Sequence, residues 1–123
     1  MPKVGDSFSL GEAVVTVLGP VPGKQYEDPN DTSLVLHIVY GETSFLFTGD
    51  IEEPAQRDLL ESGVIPHATL LKVPHHGKAS AATKAFLDAV NRCTALLQTQ
   101  KRIVCGQLRR ANGNHTVQRC NRI

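Results

Sequence analysis

Cysteine is scarce in this sequence, and what there is sits at the wrong spacings for its commonest uses. Cys93, Cys105 and Cys120 form no CxxC pair, no zinc-finger spacing and no even set. A structural zinc motif, a dithiol redox pair and a disulfide framework are therefore not expected. No apolar run approaches the roughly 20 residues that a bilayer span requires, so no membrane segment is expected in this chain. The opening residues, Met1-Pro2-Lys3-Val4-Gly5-Asp6, offer neither an apolar core nor a small-residue cleavage site, which makes the cytoplasm the default compartment. Internal repeats and low-complexity tracts are also missing. With 123 residues there is room for one domain and one modest core, not for two.

Acidic residues are missing from one end. Residues 1–98 hold all 12 acids against seven bases, a balance of −5, whereas the last 25 residues hold six bases and no acid. The net charge of +1 conceals this division. A basic run of this kind is expected either as a solvated, disordered terminus or as a phosphate-binding surface formed by Lys101, Arg102, Arg109 and Arg110.

The rest of the chain alternates strand and helix signals. Ala13-Val14-Val15-Thr16-Val17-Leu18 is β-branched and apolar, and Gly19-Pro20-Val21-Pro22-Gly23 stops it. Ser33-Leu34-Val35-Leu36-His37-Ile38-Val39-Tyr40 has almost no polar interruption, which suits a strand covered on both faces. Gly41-Glu42 then links it to Thr43-Ser44-Phe45-Leu46-Phe47-Thr48, compatible with a type II′ hairpin over residues 33–48. Glu52, Glu53 and Pro54 suit the first turn of a helix over residues 53–62, closed by Gly63. Residues 68–73 return to strand composition, ended by Pro74. Ser80 is placed to cap a second helix whose stripe is Ala82, Ala85, Phe86, Ala89 and Val90. Residues 93–98 suit a further strand, and residues 107–117 a hairpin about Asn112-Gly113. The expected class is α/β or α+β, a mixed sheet with helices on one face.

Three stretches are candidates for chemistry. Gly19-Pro20-Val21-Pro22-Gly23-Lys24 has three residues between its glycines where a phosphate-binding loop needs four, no Ser or Thr after the lysine, and prolines that remove backbone donors, so it reads as a turn. Asp50 directly follows an apolar strand and a glycine, at the strand edge where sites in α/β sheets gather. By itself it reads more readily as an N-cap or turn aspartate. His75-His76-Gly77 has the same placement after the strand over residues 68–73. In extended chain, neighbouring side chains point to opposite sides, so one histidine is expected to face a shared site and the other to orient it or to touch substrate. Asp and His together are ligand types for zinc, manganese or iron, ions that activate water for hydrolysis. His37, mid-strand, reads as a packed and hydrogen-bonded histidine.

Asn30-Asp31-Thr32-Ser33-Leu34-Val35-Leu36, Thr43-Ser44-Phe45-Leu46-Phe47-Thr48-Gly49-Asp50 and Leu71-Lys72-Val73-Pro74-His75-His76-Gly77 strongly resemble the metallo-β-lactamase-fold domain of ComEC-type competence proteins and related stand-alone hydrolases. The resemblance runs from about residue 5 to residue 91. It implies an αββα sandwich holding two metal ions, zinc or manganese, that activate water against phosphodiesters or other esters. On this resemblance Asp50 stands at the metal-bridging aspartate, and His75 and His76 stand in the block that supplies a late ligand histidine. Asn30 and Asp31 fall in a loop near the site, with Asp31 where a second Asn is common.

The family's HxHxDH cluster and a further histidine, both from its first half, have no counterpart here. Lys78 replaces the usual Ser after the glycine, and beyond Asn91 the family's Gly-His-Pro loop gives way to Arg92-Cys93-Thr94 and the basic tail. The expectation is a partial domain over residues 1–92, the C-terminal half of the sandwich, inactive alone. Residues 93–123 form a divergent tail for which an out-of-frame reading of the gene is favoured over a nucleic-acid-binding extension. Four strands of about six residues, at about 3.3 Å per residue and about 4.8 Å spacing, would leave a patch on the order of 400 Å² facing the missing half. Either that half or a second copy of the chain is the expected partner.

Overall fold

The computed structural model describes residues 2–77 and 82–90 in full and residues 94–99, 102–111 and 114–119 as backbone strands. Eight strands lie in one sheet in chain order: β1 (Ser7–Leu10), β2 (Ala13–Gly19), β3 (Val35–Tyr40), β4 (Thr43–Phe47), β5 (Leu70–Lys72), β6 (Thr94–Thr99), β7 (Arg102–Ala111) and β8 (Asn114–Arg119). The β1 to β4 ladder is antiparallel, β4, β5 and β6 run parallel, and β6 to β8 return to antiparallel. Parallel neighbours need a crossover. Helix α1 (Glu53–Glu61) makes the one between β4 and β5, and helix α2 (Lys84–Val90) the one between β5 and β6.

Strand register assigns the side chains to two faces. His37 pairs with Leu46 and Leu46 with Leu71, placing these with Val35 on the helix side. There Val35, Leu46, Leu71 and Val73 join Ile51, Ala55, Leu59, Phe86 and Val90 in one buried cluster. Both helices thus cover the same face. On the other face Val15 pairs with Ile38, Leu36 with Phe47, and Phe45 with Leu70. Leu36, Ile38, Phe45, Phe47 and Leu70 are only half-buried.

The mixed sheet with helices on one face agrees with the class expected from the sequence. The Gly41-Glu42 link joins β3 to β4, with Gly41 at φ 58° as a II′ first position requires. Three details differ. Helix α2 is capped by Thr83, whose Oγ1 accepts from the Phe86 N–H at 3.2 Å, and Ser80 lies outside the described residues. Strand β1, exposed throughout, carries too little apolar signal to be expected from the sequence. His37 does face away from Leu36 and Ile38, but its Nε2 is buried without a hydrogen-bond partner among the described residues, so the hydrogen bond expected there is missing.

Polar contacts tie the loop before β3 to α1. Lys24 Nζ and Tyr26 Oη both donate to the Asp58 carboxylate on α1, each at 3.0 Å. The Lys24 hydrogen bond holds Asp58 below the ordinary carboxylate range, while burial and the same carboxylate push the Tyr26 phenol up to about 12. The glycine-rich stretch before it is a turn, and its lysine is used structurally.

Candidate functional site

Because β4 and β5 are parallel, with Phe47 opposite Lys72, the segments leaving them emerge at the same sheet edge. Thr48 ties the two ends together, its Oγ1 donating to the Lys72 carbonyl at 2.8 Å, and Lys72 Nζ returns a bond to the Gly49 carbonyl at 3.3 Å. Ligands of α/β sheets collect outside the carboxyl ends of strands, and both candidate motifs lie there.

The first motif owes its path to Gly49 and Asp31. Gly49 has φ 57°, and a Cβ at this position would lie 2.6 Å from Ser33 Cβ. Any other residue would force the segment away from Ser33. With glycine present, Ser33 Oγ accepts from the Asp50 N–H at 3.3 Å. Asp31, 2% exposed, accepts from the N–H groups of Glu52 at 2.7 Å and Ala55 at 3.4 Å. Its carboxylate therefore serves the N-terminus of α1 from another part of the chain, where free N–H groups and the helix dipole favour negative charge. No side chain of the helix's own N-cap residue, Glu52, makes that bond, and neither does Asp50, so the N-cap reading of Asp50 is replaced by Asp31.

The second motif is not extended. His75, His76 and Gly77 have φ of 50°, 57° and 73°, a left-handed turn that costs a non-glycine residue roughly 1–2 kcal/mol. The expectation of side chains on opposite sides therefore fails. Both rings meet carboxylates of the first motif: His76 Nε2 stands 3.6 Å from Asp50 Oδ2, and His75 Nδ1 stands 2.6 Å from Glu52 Oε1. The rings are edge to face, with centroids 6.3 Å apart. The four side chains are between 33% and 51% exposed, an open rim and not a sealed pocket.

All three residues singled out in the sequence, Asp50, His75 and His76, come together here. Glu52 was missed as a site residue, because two adjacent glutamates before Pro54 read as helix-terminus charge. The overlooked signal was alternation: Ile51 is 1% exposed in the core, so the residues on either side of it turn the other way.

The donors admit a partial metal centre. Two ligands of one tetrahedral ion bound at about 2.0–2.1 Å lie roughly 3.4 Å apart, close to the 3.6 Å between Asp50 Oδ2 and His76 Nε2. Among the described residues no group of three or more His, Cys, Asp or Glu side chains converges as a metal cage. The residues fit one edge of a coordination shell and leave the remainder to other donors.

The sequence model of the metallo-beta-lactamase superfamily matches residues 5–98, and the chain belongs to that superfamily. Among its ComEC-like relatives is ComE operon protein 3 of Bacillus subtilis (strain 168), 31% identical over 104 residues, a match that covers 80% of this chain and 13% of that protein. Another is the uncharacterized protein YcaI of Escherichia coli (strain K12), 37% identical over 73 residues, covering 58% of this chain and 10% of that protein. The chain thus spans about an eighth or less of the length of these relatives. No solved structure matches it significantly.

Proposed function

We propose that this chain carries the C-terminal half of a metal-dependent phosphodiester or ester hydrolase, with Asp50, His75 and His76 as its share of the metal donors. The observation that carries the reading is the 3.6 Å approach of Asp50 Oδ2 to His76 Nε2 across the ends of two parallel strands. A carboxylate and imidazoles suit zinc or manganese, and such an ion supplies Lewis acidity and a water acidified toward hydroxide. The chain's own residues set the stage for it. Gly49 and Asp31 fix the course of the Asp50 loop, and the left-handed turn brings both imidazoles to the same rim.

The remaining ligands belong to an HxHxDH-bearing half, supplied by other residues of the same polypeptide or by another chain. That half is proposed to cover the second face of the sheet, where Leu36, Ile38, Phe45, Phe47 and Leu70 stand half-buried. Lacking those donors, the 123 residues alone are inactive.

The test is hydrolysis of bis(p-nitrophenyl) phosphate with zinc or manganese, by the chain alone and by the chain co-expressed with an HxHxDH-bearing half. No turnover is expected alone, metal-dependent turnover with the partner half, and loss of that turnover in Asp50→Ala. Robust metal-dependent turnover by the chain alone would overturn the incompleteness, and failure of the complemented protein would overturn the hydrolase.

A further inference from the structure

We propose that Glu52 is a positioning residue for His75: its carboxylate holds the ring through Nδ1, which fixes the tautomer and leaves Nε2 as the nitrogen presented to a metal. The inference rests on the metal-centre reading of the rim and adds a role for a side chain outside the donor set.

The geometry favours this over a helix-capping role. Glu52 occupies the N-cap of α1, yet its side chain makes no capping bond there, and the N–H that an N-cap side chain would take, that of Ala55, is held by Asp31 at 3.4 Å. With its backbone anchored and the capping done by another residue, the carboxylate instead meets His75 Nδ1 at 2.6 Å. A carboxylate accepts, so the ring nitrogen facing it carries the proton and the far nitrogen keeps its lone pair. Metal-bound histidines characteristically have such a carboxylate behind the ring, where it fixes orientation and raises basicity.

The alternation about Ile51 supplies the second strand of the argument. With Ile51 in the core, Asp50 and Glu52 emerge on the same side and meet consecutive histidines, Asp50 at His76 and Glu52 at His75. His75 is also the first residue of the left-handed turn, at φ 50°. Its bond to Glu52 helps hold the backbone conformation that places His76 opposite Asp50.

The experiment uses the ¹⁵N-labelled full chain, metal-free, at about pH 8.5, above the ordinary imidazole range. Two-bond ¹H–¹⁵N correlations of the His75 ring are compared among wild type, Glu52→Ala and Glu52→Gln, followed by titration with zinc ions. The wild type is expected to show a protonated Nδ1 and a bare Nε2. In Glu52→Ala the proton should redistribute toward Nε2, and zinc affinity should fall roughly 10- to 100-fold. Glu52→Gln keeps an acceptor oxygen, so it should retain the wild-type tautomer and recover most of that loss, an outcome that a purely structural role does not predict. His76→Ala should leave the His75 tautomer unchanged.

A His75 ring with the same tautomer in wild type and Glu52→Ala would overturn the proposal. Should Glu52→Ala not fold, a Glu52→Gln ring that has lost the wild-type tautomer would overturn it equally. If wild type shows the Nδ1–H form and Glu52→Ala loses it while neither binds zinc, the positioning role stands, and the titration is repeated on the chain co-expressed with an HxHxDH-bearing half, where absence of zinc binding overturns the metal-centre reading.

Discussion

The two faces of the sheet are built from nearly the same amino acids and have different surroundings. On the helix side Leu46, Leu71 and Phe86 are at most 1% exposed. On the opposite side Val15 and Val17 are buried, but Leu36, Ile38, Phe45 and Phe47, as apolar, are only half-buried, with Phe45 and Phe47 ring centroids 6.4 Å apart on the same face. Composition alone therefore says that β3 and β4 are suited to a layer on each side. Only register shows which side the chain's own helices cover. The lesson is that the described helices cover one face of a sheet whose other face is also apolar.

A pair of substitutions separates the two faces most strongly. Phe86→Ala empties the centre of the covered face and should cost about 3–5 kcal/mol. Phe45→Ser, on the other face, loses only a partly buried side chain and should cost about 1 kcal/mol. Urea unfolding at several protein concentrations measures both. Equal losses would show that the second face is covered in solution.

The next effect is smaller and concerns the rim. Asp31→Ala removes the acceptor of two N–H groups at the start of α1 and should cost about 1–2 kcal/mol in the same unfolding measurement. Asp31→Asn retains an acceptor oxygen and should lose much less. If Asp31→Ala proves neutral, Asp31 is not what orders the segment carrying Asp50 and Glu52.

Much of this arrangement was legible in the residues. Apolar runs ended by Gly and Pro located β2 to β5, and the positions of Asp50 and His75-His76 after strands located the rim, because strand ends depend on local sequence. What was not legible depends on contacts between distant segments. The cap supplied by Asp31 lies some 20 residues before its helix. The left-handed backbone at His75 and His76 departs from the extended chain expected directly after a strand, and it coincides with the two carboxylates that those rings meet. Such conflicts between local preference and structure are expected where side chains are held for a purpose.

His37 gives the finest distinction between the faces. It sits on the helix side, opposite Leu46, with Nε2 buried and unpaired among the described residues, and burial holds its imidazole below the ordinary value. An unfolded chain takes up a proton near pH 6.5, whereas the folded chain does so only at lower pH. The neutral ring's contribution to stability is therefore fully present above about pH 6.5 and is lost as pH falls through the folded value. His37→Val fits a strand and leaves no polar atom stranded, so it should stabilise the chain by about 1 kcal/mol at neutral pH. Its advantage should widen on acidification, read as the difference in urea midpoint between variant and wild type from about pH 7.5 to about pH 5. A constant difference over that range would mean that His37 finds a proton partner on the helix-covered side, and the two faces would then differ less in polarity than their burial implies.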